Sequence, residues 1–121
     1  MQPEVLQAHP EESLADAAAR MREHGVGSLA VIDDDGLVGI LTERDLLVSV
    51  ADGCATHVTK VGTYMSTPAV VVAPDADILE ARRLMVEHDI RHLPVMAAGQ
   101  MLGIMSARDL LVGAPWKATI E

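Results

Sequence analysis

Two four-residue segments of this chain carry the same chemical order. Thr42-Glu43-Arg44-Asp45 and Ser106-Ala107-Arg108-Asp109 each hold a hydroxyl, an arginine and a carboxylate. Each follows a glycine and two apolar residues, Gly39-Ile40-Leu41 or Gly103-Ile104-Met105, and each opens a stretch of helical character. A helix start points N–H groups at an anion, and an arginine adds a two-pronged partner for phosphate. A carboxylate beside them can accept two hydrogen bonds from a sugar diol. The same spacing also satisfies a capping box, in which Ser or Thr and an Asp three residues on close the helix start with no ligand at all. Both readings can hold together.

Other reactive side chains are more scattered. Arg91-His92 stands where the other half of the chain has Gly27-Ser28, and it adds cationic character near the second segment. His24 and His88 fall at predicted helix C-termini, where a cation complements the dipole. They have no Cys or His at ligand spacing, so a metal is not expected. Cys54 lacks a neighbouring base that would activate it as a nucleophile, and Asp33-Asp34-Asp35 is read as a hairpin tip. No nucleophile, base and oxyanion stabiliser assemble, so an enzyme is not expected.

The elements that position these residues come in duplicate. Shifting the sequence by 64 positions lays Gly39 on Gly103, Arg44 on Arg108 and Asp45-Leu46-Leu47-Val48 on Asp109-Leu110-Leu111-Val112. Pro10, Met21 and Glu23-His24 fall on Pro74, Met85 and Glu87-His88 with no gap. Between Pro10 and Val48, 14 of 39 positions are identical to their partners. The chain is two copies of one supersecondary unit.

In chain order, Val5 to Ala8 reads as a brief strand. Ser13 caps a helix whose inner stripe is Leu14, Ala17, Ala18 and Met21, and Gly25 stops it. Ser28 to Ile32 and Leu37 to Leu41 form a hairpin around the Asp-rich turn. A second helix runs from Thr42 to about Ala51, with Leu46, Leu47 and Val50 as its apolar residues. The second copy repeats this order. Val70 to Val72 is a strand, Asp77 caps a helix with Ile78, Ala81 and Met85 inside, His92 to Met96 and Met101 to Met105 form the hairpin, and Ser106 begins the last helix. Residues 1–51 are the first repeat, 52–64 a linker that continues the helix briefly before turning, 65–113 the second repeat and 114–121 an irregular tail. Each repeat is β-α-β-β-α, an α+β unit that cannot cover its own sheet, so two are expected to pack together.

Half of the 121 residues are hydrophobic, yet Phe is absent and Tyr64 and Trp116 are alone of their types. The core must therefore be aliphatic. No apolar run of about 18 residues could form a membrane-spanning helix, and the start MQPEVLQAHPEE lacks the pattern of a signal peptide. A single cysteine excludes an internal disulfide and fits a cytoplasmic protein. The net charge is −9, with 11 acidic and 4 basic residues up to Tyr64 and 7 and 5 after it. That balance and the lack of aromatic residues argue against nucleic acid as a partner.

Taken together, the Gly-apolar-apolar-(Ser/Thr)-x-x-Asp pattern, the Leu93-Pro94-Val95 run before it, Met65-Ser66-Thr67-Pro68 as an entry segment and the Glu87-His88-Asp89-Ile90 junction resemble the CBS (cystathionine β-synthase) domain in tandem form. The resemblance covers Val5 to Val112. It implies a pseudo-twofold disc of two repeats with two equivalent clefts, many of which bind adenosine nucleotides in this family. On that likeness Asp45 and Asp109 would hold ribose, and Thr42, Ser106, Arg44 and Arg108 would lie toward phosphate. Val70, Val71 and Ile104 would enclose the base, with Pro94 beside them, and Arg91 and His92 would favour the second cleft. The first repeat departs from the pattern, with Ala30 in place of Pro94 and Gln2-Pro3-Glu4 a poor match to Ser66-Thr67-Pro68. The family often begins with a short lead helix for which Met1 leaves no room, and the sequence leaves open whether residues precede Met1.

The implied function is a non-enzymatic regulatory module that senses AMP, ADP or ATP, forms a homodimer of discs and signals energy state to a protein partner not named by the sequence. No cofactor is required; an adenine nucleotide would be the regulatory ligand. The alternatives are a dimerisation or docking module with vestigial clefts, or another adenosyl ligand such as S-adenosylmethionine, NAD or a cyclic dinucleotide. A cationic sulfonium ligand suits Arg91 and Arg108 poorly.

Overall fold

The computed structural model describes residues 6–67 and 70–108, so Asp109 and the remainder of the helix expected from Ser106 onward lie outside the described residues. The chain divides into two compact units, the first spanning Leu6–Ala69 and the second taking the chain from Val70 on.

In the first unit, β1 (Gln7–Ala8) pairs in parallel with β2 (Ser28–Asp33), which pairs antiparallel with β3 (Gly36–Thr42). Between them runs α1 (Leu14–His24). Ser13 accepts a hydrogen bond from the Asp16 N–H, and Gly25, at φ 65°, closes the other end. Leu14, Ala17 and Met21 are buried against Leu29, Val31 and Leu41, the aliphatic core that the composition required. Ala18 is only half-buried, so the inner stripe is narrower than its spacing predicts.

Beyond β3 runs α2 (Glu43–Ala51). Leu46 packs on the core, but Leu47 and Val50 are 69% and 64% exposed, and the buried residue is Ser49. The Ser49 hydroxyl satisfies itself on the Leu46 carbonyl at 2.7 Å.

Residues 52–64 are not a loose connection. Two of α1's first N–H groups, which have no partner within the helix, donate to this segment: Leu14 to the Thr59 carbonyl and Ala15 to that of Thr56, both at 2.9 Å. Lys60 pairs with Glu11 at 2.6 Å. A short helix, α3 (Val61–Tyr64), follows, which the sequence reading did not contain, and Val61 is buried in the same core. The segment is part of the first unit.

The second unit repeats the first, 64 residues on. Helix α4 (Ile78–His88) is capped by Asp77 and ends at Asp89, which takes the left-handed conformation that Gly25 takes in α1. Strands β4 (His92–Ala97) and β5 (Gln100–Ser106) pair from His92↔Ser106 to Ala97↔Gln100, and the irregularity between Val95 and Met96 matches that between Val31 and Ile32. Val72, Ala81, Met85, Leu93, Val95 and Met105 form a separate core.

The strand expected over Val70 to Val72 is reduced to a single parallel bridge, Val72↔Val95. Its cause is Pro94. In the first unit the Ala30 N–H donates to the Leu6 carbonyl at 3.1 Å. The equivalent bond would run from residue 94 to Val70, and proline has no N–H to give. Among the described residues no helix is long and apolar enough to cross a membrane.

Candidate functional site

In the first unit, the motif sits where β3 passes into α2. Thr42 is extended, and its hydroxyl accepts the Asp45 N–H at 3.2 Å while the Asp45 carboxylate accepts the Thr42 N–H at 2.9 Å. The capping box is thus complete. The Glu43 N–H donates to the Gly27 carbonyl at 3.2 Å. The helix start is therefore not a row of free donors, and the expectation that it points open N–H groups at an anion is corrected for Glu43 and Asp45.

A third partner was not read from the sequence. The Ser66 hydroxyl donates to the Asp45 carboxylate, 3.0 Å from Oδ1 and 3.3 Å from Oδ2. Ser66 is placed there by its backbone, which bridges the free edge of β3: its N–H donates to the Ile40 carbonyl at 2.9 Å, and the Ile40 N–H returns to the Ser66 carbonyl at 3.2 Å. This approach is close enough to dictate a residue type. A Cβ at Gly39 would stand 2.7 Å from the Ser66 carbonyl oxygen and 2.9 Å from Thr67 Cγ2, so the glycine of the motif makes room for the segment. Asp45 is half-buried while Arg44, Ser66 and Thr67 are exposed.

The second unit assembles the matching residues around β5. His92 is paired with Ser106 and Pro94 with Ile104. The Ala107 N–H donates to the Arg91 carbonyl at 2.7 Å, the counterpart of Glu43 on Gly27. The Val72 N–H donates to the Pro94 carbonyl at 3.0 Å and the Met96 N–H to the Val72 carbonyl at 2.9 Å, so of the Val70–Val72 run Val72 is the residue joined to that strand. Arg91, Val71 and Arg108 are exposed, and His92, Val70, Ile104 and Ser106 are half-buried. Pro94 is fully buried. Arg91, His92, Pro94, Ile104, Ser106 and Arg108 thus share one strand pair and its helical exit. Asp109, the proposed ribose ligand of this half, lies outside the described residues. Among the described residues no three His, Cys, Asp or Glu side chains come together to hold a metal ion.

Comparison with known proteins agrees with this architecture. The model of the CBS domain matches twice, over residues 1–52 and 61–113. An uncharacterized protein of Methanopyrus kandleri is 37% identical over 98% of the chain, which spans 62% of that protein's length. A putative signal-transduction protein with CBS domains from Burkholderia ambifaria is 33% identical, superposes with a TM-score of 0.87 and is matched over 92% of this chain and 82% of its own. A CBS domain protein from Pyrobaculum aerophilum, solved in complex with AMP, shares the fold at a TM-score of 0.80 and 21% identity, over 90% of this chain and 89% of its own.

Proposed function

Because the chain belongs to the CBS domain family, whose paired repeats form regulatory ligand-binding modules, we propose that it binds an adenine nucleotide through its two Ser/Thr-x-x-Asp motifs. The observation that carries this reading is the Asp45 carboxylate, which already accepts an alcohol hydroxyl across both of its oxygens. A ribose presents the same donor twice. A carboxylate has about four lone-pair directions, so capping and diol recognition are compatible. Arg44 and Arg108 supply cationic groups one residue from each carboxylate for phosphate, and Arg91 and His92 add to the second. The AMP held by the Pyrobaculum protein supports this choice of ligand.

The ligand changes the module's behaviour only by its difference in affinity between two arrangements of the chain, and a protein partner then reads that change. Thermal denaturation with AMP, ADP, ATP, S-adenosylmethionine and NAD tests the reading. A ligand at a hundred times its dissociation constant adds about 2.7 kcal/mol, roughly ten degrees at this length. The effect should appear with an adenine nucleotide and vanish in the Asp45→Asn, Asp109→Asn double variant. No shift with any of the five compounds refutes it.

A second reading rests on a separate observation. Leu47 and Val50 are exposed on α2, and Leu79 and Val86 on α4. Exposed apolar side chains at helical spacing fit self-association through helices, in line with the homodimer implied by the family. Sedimentation of the chain and of its Leu47→Glu variant tests this: a dimer that dissociates in the variant supports it, and a monomeric parent chain refutes it.

A further inference from the structure

The Ser66 hydroxyl is bound to the very carboxylate that the nucleotide reading assigns to ribose. Its position is set from three sides. Two backbone hydrogen bonds hold Ser66 to Ile40, Gly39 leaves the space beside it, and the hydroxyl lies within 3.3 Å of both Asp45 oxygens. Thr42 takes one further position on Oδ2. Of the about four lone-pair directions of the carboxylate, the bifurcated Ser66 hydroxyl and the Thr42 N–H together occupy three, so a diol, which needs two, finds room only where Ser66 gives way.

We infer that Ser66 is an internal competitor for Asp45, so that a nucleotide engages the first repeat only by displacing the Ser66 hydroxyl and loosening the segment that leads into the second repeat. This rests on the nucleotide reading above and adds a positioning residue to it. Ser66 sets how tightly the first motif holds a diol, and it converts occupancy of that motif into release of the 65–67 segment.

Calorimetric titration of the full chain with AMP tests this, in an Asp109→Asn background that leaves Asp45 as the intact motif carboxylate. Ser66→Ala should tighten AMP binding by about tenfold, the weight of one charge-assisted hydrogen bond no longer competing. Ser66→Thr, which keeps a hydroxyl, should restore the parent affinity. With 2′,3′-dideoxy-AMP, which has no diol to present, Ser66→Ala should make no difference. A purely structural role for Ser66 would affect both ligands alike. If the parent binds AMP and Ser66→Ala leaves that affinity unchanged or weakens it, the competitor role is overturned while the nucleotide reading stands. If no variant, including the chain with both aspartates intact, binds AMP, both fall.

Discussion

Replacing Gly39 by alanine places a methyl group 2.7 Å from the Ser66 carbonyl oxygen, 2.9 Å from Thr67 Cγ2 and 3.1 Å from Met65 Sδ. The nearest of these is backbone, which cannot swing aside as a side-chain end can. If the structure absorbs the methyl, overpacking costs about 1–3 kcal/mol. If the segment lifts instead, two backbone bonds to Ile40 and the Ser66 bond to Asp45 are lost, at about 1 kcal/mol each. Alanine recovers about 0.5–1 kcal/mol by restricting the unfolded chain. The net loss is about 2 kcal/mol, or roughly eight degrees in melting temperature for a chain of this size. Urea denaturation measures the loss, and amide hydrogen exchange locates it: protection at Ser66 and Ile40 should fall, while that at Leu29 and Val31 in the core changes less. Equal stability with undiminished protection at Ser66 would show that the segment does not lie against β3 as described.

Two further predictions concern single residues. Ala98 stands at φ 51° beside Gly99 at φ 76° in the second hairpin, a turn that favours Asn-Gly, so Ala98→Asn should stabilise the chain by about 1 kcal/mol; a denaturation midpoint at or below that of the parent would contradict it. The Tyr64 hydroxyl donates to Asp52 at 2.8 Å, and that hydrogen bond is the main cause holding the phenol above its ordinary pKa of 10.0. A raised folded value means a contribution to stability that is present below the ordinary pKa and lost as pH rises through the raised one. Tyr64 is the one tyrosine of the chain, so its ultraviolet titration is direct: the midpoint should lie above the ordinary value and fall toward it in Asp52→Asn.

The sequence carried the paired architecture because the repeat is gapless. Both hairpins keep the same partners at the same offset, down to the irregularity after Val31 and Val95. The caps at Ser13, Thr42 and Asp77 were legible because capping is a local signal of three residues. Three features were not. The loss of a strand at Val70 follows from Pro94, a residue read as a motif mark and not as a missing donor. The exposure of Leu47 and Val50 could not be read from α2, because Leu46, Leu47, Val48 and Val50 follow one another around the helix and do not mark a single inner face. The Ser66–Asp45 bond spans 21 residues and depends on tertiary approach over Gly39, for which spacing gives no signal. The clue that existed was the glycine itself, since a glycine inside a strand often marks close passage of another backbone.

On the nucleotide reading, the motif carboxylates are ribose ligands as well as helix caps. Titrating AMP into the full chain and into the Asp45→Asn, Asp109→Asn double variant tests it most directly. Asparagine still caps a helix but forfeits the charge-assisted hold on a diol, so folding survives while ligand recognition does not. Heat of binding is expected in the parent chain, and its loss in a variant that keeps its secondary structure by circular dichroism. Binding of AMP that persists undiminished in the folded double variant would contradict it.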